Sequence, residues 1–276
     1  MDGFAFQAPR TARTAVLVEV PHAGTVIPEA LRQDLIAPEE LVLRDADLFV
    51  DELYAGAPAQ GAALLAARLS RYVVDLNRAP DDVDLETVFD HPAPRRSQPR
   101  GVVWRVTADG RPLMQRPLDY RGLCQRLSLY HEPYHARLSA ELAAVRAEHG
   151  FVILVAAHSM PSAVKRGSRD VERRADVVPG SLGRTSAHRA IIELVDRHFR
   201  AAGLSVRHDD PYRGGYTTAH YGRPREAQHA IQIELNRALY MDERDCLRKP
   251  GDFERLQVLL DELVANLGKL RVADLA

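Results

Sequence analysis

The stretch Phe-Val-Ile-Leu-Val-Ala-Ala-His-Ser-Met-Pro-Ser at 151–162 constrains the fold more than any other part of the chain. Its apolar run, Phe151–Ala157, is too short and too β-branched for a surface helix. It stops at a histidine, a hydroxyl and a proline, the pattern of a buried strand ending in a loop. A second run repeats it: Thr14–Val20 is apolar and leads straight into Pro21-His22-Ala23-Gly24. In open α/β sheets, ligands bind in the crevice outside the carboxyl ends of the strands, so His22 and His158 sit where chemistry is usually done. A lone histidine there is better explained by a bond to a nearby carbonyl, and the rest of the chain decides between the two.

Pro28–Leu35 has the pattern of a short helix. Helical spacing over Glu39–Tyr54 places Leu41, Leu48 and Leu53 on an apolar side and brings in Asp45, Asp47 and Asp51, which a solvated surface would also explain. Strands are expected at Ala62–Ala66 and Arg71–Leu76, the second ending in Asp75-Leu76-Asn77-Arg78. Ala79–Arg100 is a loop of unusual length, as lids and binding segments are. Beyond it the Asp-Gly pair in Ala108-Asp109-Gly110 signals a hairpin joining Val102–Thr107 to Arg111–Met114. Leu118–Glu148 is the longest helical pattern, stopped by Gly150. Its His131 and His135 are four apart, but Pro133 departs from the His-Glu-x-x-His zinc motif, which favours helix-surface or site-lining roles.

Lys165–Arg174 is a charged loop, and Asp176–Ser186, with Gly180, Gly183 and Arg184, feeds a helix over Ala187–Ala202 capped by Ser186 and Gly203. Such a loop can hold an anion on backbone amides, though it lacks the Gly-Lys-Ser/Thr ending of a nucleotide-binding Walker loop. Leu204–His208 is a short strand, and the tyrosine- and glycine-rich loop Asp209–Pro224, with Gly215 and Tyr216, has the composition of a binding loop. Ala230–Arg237 alternates, with Ile231, Ile233 and Leu235 on one face and Gln232, Glu234 and Asn236 on the other. On an edge strand Glu234 is merely solvated; on a central strand that polar face must be a site. Asp252–Leu267 is a final amphipathic helix.

These elements give an α/β fold with a mixed, mostly parallel central sheet flanked by helices. One domain over 1–276 is expected, with a loop and hairpin inserted at about 79–116. A net charge of -1 offers no global field for nucleic acid or membrane. Arg95, Arg96, Arg100 and Arg105 around Trp104 are more simply a solvated loop than a nucleic-acid surface. Cys124 and Cys246 lie in neither redox nor zinc motifs, as in a reducing compartment, and 1–14 lacks the apolar core of a signal peptide. No run approaches the roughly eighteen apolar residues of a membrane helix. The expected location is the cytoplasm, and the sequence leaves the oligomeric state open.

Two histidines at separate strand ends, an acidic helix and a glutamate on a strand's polar face have the composition of a catalytic zinc site. Zinc lowers the pKa of bound water to roughly 7 and polarises a carbonyl under attack. A glutamate beside it can take the water's proton and pass it to a leaving nitrogen, which is amide hydrolysis.

Val20-Pro-His-Ala-Gly24, Asp45–Tyr54, Tyr72–Arg78, Ala157-His-Ser159, Gly214-Gly-Tyr-Thr217 and Ile231–Tyr240 occur in the order seen in the N-formylglutamate amidohydrolase family, which the chain resembles from Val16 to Met241. That family is similar in turn to the zinc carboxypeptidases. The resemblance implies a fold of that type, one zinc ion or another divalent metal, and a small-molecule substrate bearing a carboxylate. It implies metal ligation by His22 and His158, and Glu234 as general base. Asn77 and Arg78 resemble a pair that holds a substrate carboxylate, with Tyr216 in the same pocket; Arg184 and Gly215 are the other substrate-binding candidates. Where carboxypeptidases have His-x-x-Glu, this chain has His22-Ala-Gly-Thr25, so the third ligand is assigned to Asp47, with Asp45 the alternative. The segment Asp81–Leu113 departs from the form that region takes in characterised formylglutamate deformylases.

The activity implied is removal of formyl from N-formyl-L-glutamate or a similar N-acylated acidic amino acid. The alternatives are a zinc peptidase or deacylase of the same fold and a non-catalytic binding protein. His158-Ser159 is not read as a base and nucleophile, because adjacent residues on a strand face opposite ways.

Overall fold

Buried, largely apolar runs become the interior strands, as burial on both faces of a parallel sheet favours. The strands of four or more residues are β1 (Phe4–Gln7), β2 (Val16–Val20), β3 (Ala63–Ala67), β4 (Val152–Met160), β5 (Ala163–Arg166), β6 (Asp170–Arg173), β7 (Val177–Gly180) and β8 (Gln228–Asn236). A six-stranded sheet runs in the order β1-β3-β2-β4-β8-β7, with β2, β4 and β8 parallel and β7 antiparallel to β8. Pro179, which cannot donate to a ladder, is tolerated because β7 is the sheet's edge. The computed structural model describes residues 3–94, 98–166 and 170–275, so Arg95 and Arg96 lie outside the described residues. The expected mixed, mostly parallel sheet flanked by helices is the fold observed, and no described helix is long and apolar enough to cross a membrane.

Helices α1 (Glu29–Arg32), α2 (Glu39–Asp45), α3 (Val50–Leu53), α4 (Tyr120–Arg126), α5 (Glu132–His149), α6 (Arg189–Ala201), α7 (Tyr216–Tyr221) and α8 (Asp252–Gly268) complete the frame. The chain forms two compact units. One comprises Met1–Ala5, Pro21–Leu48 and Ala66–Ala140; the other comprises Phe6–Val20, Phe49–Leu65 and Glu141–Ala276. In the second, α8 contacts α3, α6 and β2, α3 contacts β4, α6 contacts β7, and α7 contacts β4 and β8.

Several elements differ from their sequence expectation. The helix expected over 39–54 breaks between α2 and α3, where Ala46 is extended (φ -75°, ψ 153°) and Phe49 left-handed (φ 66°). Arg71–Leu76 forms turns rather than a strand: Ser70 Oγ accepts from Tyr72 N at 3.2 Å, and the Asp75 carboxylate accepts from Asn77 N at 2.9 Å. Such local side-chain acceptors compete with a sheet ladder. The 102–114 hairpin is reduced to an isolated bridge between Val106 and Pro112, and Leu204–His208 to one between Val206 and Val177. Val177–Gly180, expected in a loop, is a strand, and the charged segment 165–174 contributes to the β5–β6 pair, with 167–169 outside the described residues. Helix α6 is capped by His188, whose Nδ1 accepts from Ala190 N at 3.2 Å, because Ser186 Oγ is engaged with the Ala230 carbonyl of β8 at 2.8 Å. The long helix contains a π-turn at Leu127–His131, closed by Glu132 N on Leu127 O. Pro133 has no N–H to donate and its ring would strike the preceding turn of a regular helix; widening that turn relieves both.

His229 on β8 is 3% exposed, and burial, with neighbouring His188 adding to it, pushes its imidazole down to about 4 from 6.5. Below 6.5 the unfolded chain takes up a proton that the folded chain refuses, so this residue's contribution to stability falls as pH drops from 6.5 to about 4. Urea unfolding of the His229→Gln protein is expected to lose that part of the pH dependence; a difference from wild type that is constant with pH would refute the buried neutral imidazole.

Candidate functional site

His22 follows β2 in a turn that lies directly on another backbone segment. A Cβ at Gly24 would meet the Arg68 carbonyl carbon and the Leu69 oxygen, both at 2.4 Å, so only glycine permits this approach. The break between α2 and α3 turns Asp47 inward instead of leaving it on a helix surface. Asp47 N donates to the His22 carbonyl at 2.9 Å, and its Oδ2 lies 3.6 Å from His22 Nδ1. His22 donates from Nε2 to Asp75 Oδ1 at 2.7 Å, which leaves Nδ1 as the lone-pair nitrogen.

His158 lies inside β4 rather than at its end, because the strand runs on to Met160 before Pro161 stops it. His22, Asp47 and His158 are all buried, and one donor atom from each lies within 4.8 Å of the others. Two imidazoles and a carboxylate are a zinc-type donor set that leaves a fourth position open. Donors on a common tetrahedral zinc lie about 3.4 Å apart, given metal–ligand distances near 2.1 Å, and the 3.6 Å between His22 and Asp47 is close to that. A histidine ligand whose second nitrogen is bonded to a carboxylate is the usual arrangement at such centres, and the His22–Asp75 contact supplies it. The residues present therefore fit a divalent metal. Asp45 is engaged elsewhere: its Oδ2 accepts from the Tyr72 hydroxyl at 2.6 Å and from Ala108 N at 2.7 Å.

Asp75 is fully buried and accepts five hydrogen bonds. Oδ1 takes His22 Nε2 and Asn77 N at 2.7 and 2.9 Å; Oδ2 takes Arg71 Nη2, Trp104 Nε1 and Arg71 Nε at 2.8, 3.0 and 3.2 Å. Burial alone would raise this carboxyl, but the Arg71 guanidinium, with His22 and Arg78, holds it well below the usual carboxylate range.

Because β8 lies between β4 and β7, Glu234 is an interior residue of the sheet, 5% exposed, directly opposite His158. In-register neighbours face the same way, so His158, Glu234, Gln232 and Glu19 share one face. Gln232 donates from Nε2 to Glu234 Oε1 at 2.8 Å and accepts Gly215 N on Oε1 at 2.8 Å, which ties the glutamate to the start of α7. There Tyr216 stacks on His220, with ring centroids 5.0 Å apart.

Asn77 is buried and Arg78 half-buried, in a turn braced from α5 and the π-turn. His131 Nε2 donates to the Arg78 carbonyl and His135 Nε2 to the Leu76 carbonyl, each at 3.0 Å; a carbonyl only accepts, which fixes the proton on Nε2 in both rings. The guanidinium of Arg78 donates to the Asn77 and Arg100 carbonyls at 2.9 and 3.1 Å. Arg184 lies in the 181–184 loop with a left-handed backbone (φ 68°). The loop's amides hold the protein's own carboxylate: Asp209 accepts from Ser181 N at 2.7 Å and Gly183 N at 3.1 Å.

Sequence reasoning did not single out Asp75, Glu19, Gln232 or Trp104 as parts of this network. Glu19 had a signal, a glutamate inside an otherwise apolar strand; the Asp75–Trp104 contact spans 29 residues and had none.

The sequence profile of the N-formylglutamate amidohydrolase family matches residues 14–241. The chain is 32% identical to the N-formylglutamate deformylase of Pseudomonas aeruginosa over 262 residues, 94% of each protein. It is 30% identical to the enzyme of that name from Pseudomonas putida over 259 residues, 92% of each. The crystal structure of N-formylglutamate amidohydrolase from Ralstonia eutropha superposes with a TM-score of 0.89 at 29% identity, covering 98% of both chains. With its matched profile and relatives spanning nearly its whole length, the chain belongs to the N-formylglutamate amidohydrolase family, hydrolases of amide carbon–nitrogen bonds outside peptides.

Proposed function

We propose that this hydrolase removes the formyl group from N-formyl-L-glutamate, or the acyl group from a closely similar N-acylated acidic amino acid, in a metal-dependent reaction. The observation that carries the reading is the buried His22–Asp47–His158 donor set beside Glu234, which faces His158 across the β4–β8 pair. The names of the Pseudomonas relatives support the substrate.

His22, Asp47 and His158 would hold a divalent ion, zinc by the chemistry of the donors, although other divalent metals also bind such sets. When bound, the metal supplies Lewis-acid activation of water and of the amide carbonyl. Glu234, its carboxylate oriented by the Gln232 amide, takes the proton from the attacking water and delivers it to the leaving nitrogen, so that the free amine departs. Arg78, with Asn77, anchors a substrate carboxylate in the turn braced by His131 and His135. Arg184, Gly215 and Tyr216 bound the amino-acid side of the pocket.

The test is metal analysis of the purified protein together with formate release from N-formyl-L-glutamate, before and after a chelator. One equivalent of metal, formate release that stops on chelation, and recovery on adding zinc are expected. Efficient turnover of N-acetyl or dipeptide analogues without formate release would redirect the reading to a deacylase or peptidase. Metal-free protein with undiminished turnover would overturn it.

A further inference from the structure

The segment 79–116, expected from the sequence as an inserted loop and hairpin, contains the chain's single tryptophan. Among the described residues this segment forms no regular helix or strand, yet Val83, Val88, Val102, Val103 and Trp104 are buried. It is joined to the turn preceding Asn77: Asp75 N donates to the Val102 carbonyl at 2.8 Å, and Trp104 Nε1 donates to Asp75 Oδ2 at 3.0 Å. The Arg71 guanidinium covers the indole face at 4.4 Å while donating to the same carboxylate oxygen.

The two oxygens of Asp75 thus have divided tasks. Oδ1 faces His22, and Oδ2 is held from two directions, by a guanidinium four residues earlier and by an indole 29 residues later. A carboxylate rotates readily about its last torsion, which has broad minima. Rotation here would carry Oδ1 off His22 Nε2, freeing the imidazole to turn or to change tautomer. Two donors of different chemistry on Oδ2 oppose that rotation.

We infer that Trp104 is a positioning residue for the metal centre: its indole N–H fixes the plane of the Asp75 carboxylate and, through it, the orientation and tautomer of His22. The inference rests on the reading of His22, Asp47 and His158 as metal ligands. It gives the 79–116 segment a function, since this segment supplies one of the hydrogen bonds behind a ligand.

The test compares zinc affinity of wild type and Trp104→Phe by competition with a chromophoric chelator. Phenylalanine keeps an aromatic face for Arg71 and removes the donor, together with part of the buried indole's volume. Loss of a ligand's own hydrogen-bond partner typically costs ~10–100-fold in metal affinity; Trp104 acts one bond further out, through Asp75, so a loss of about tenfold, the low end of that range, is expected, with the metal-free variant still unfolding cooperatively. An affinity within twofold of wild type overturns the inference while leaving the metal reading intact. Failure of the wild type itself to bind zinc overturns both and is distinguishable from the first outcome. An independent readout needs no variant: with one tryptophan in the chain, the single indole N–H resonance of the ¹⁵N-labelled wild type is expected to shift when zinc is added. A signal that does not move on saturation also overturns the inference.

Discussion

Glu234→Gln is expected to retain the wild-type metal content and to lower kcat for formate release by ~10²–10⁴-fold, the range a positioned general acid–base supplies. The amide is nearly isosteric with the carboxylate, and its oxygen can still accept the Gln232 Nε2–H that Oε1 accepts at 2.8 Å, so the local hydrogen bonding of β8 survives. It cannot take the proton of the attacking water. His22, Asp47 and His158 are untouched, and for that reason metal content and turnover are expected to separate in this variant. Turnover within tenfold of wild type removes Glu234 from the base role, and loss of metal on substitution assigns it to the metal site instead.

The largest effect on stability is expected at Asp75. In metal-free protein, Asp75→Ala lowers the unfolding free energy by about 3–5 kcal/mol, the cost of stranding one partner of a buried ion pair. Alanine leaves the Arg71 guanidinium, 14% exposed, without its carboxylate, and strips the acceptor from Trp104 Nε1, His22 Nε2 and Asn77 N. The sign with pH is set by the direction of the shift. Burial opposes ionisation, but Arg71, His22 and Arg78 prevail and hold the folded carboxyl well below 3.8. The stabilisation is therefore complete above 3.8 and is lost as pH falls through the folded value. Urea unfolding at neutral pH checks this, and a loss below about 1 kcal/mol would mean that the five hydrogen bonds are replaced by water at little cost.

Sequence pattern carries most of the fold where an element is defined by its own residues. The runs 16–20, 152–157 and 230–236 are apolar or alternating over their whole length, and they become β2, β4 and β8. It fails where a side chain elsewhere decides the backbone. Tyr72-Val-Val has strand propensity but turns, because Ser70 and Asp75 take its amides and those of its neighbours. The 39–54 periodicity gives no warning of the left-handed Phe49, although the break it marks is what turns Asp47 inward. At the candidate site, His22, Asp47 and His158 are legible from composition together with the family resemblance, and the structure brings their donor atoms together. The shell behind them is not legible, since Asp75, Trp104 and Arg71 meet through distances that no sequence period records.

The position of β8 has a consequence for the chain as it is made. It is the last strand of the main sheet in sequence, yet it lies between β4 and β7, so β4 leaves the ribosome with an unpaired edge and nine residues that are buried only in the finished protein. At synthesis rates of ~5–20 residues per second that edge waits on the order of ten seconds for its neighbour. Exposed apolar strand edges recruit other chains. Lesions that weaken β8 pairing would thus be felt first as aggregation of nascent protein, in soluble yield more than in the specific activity of the molecules that escape.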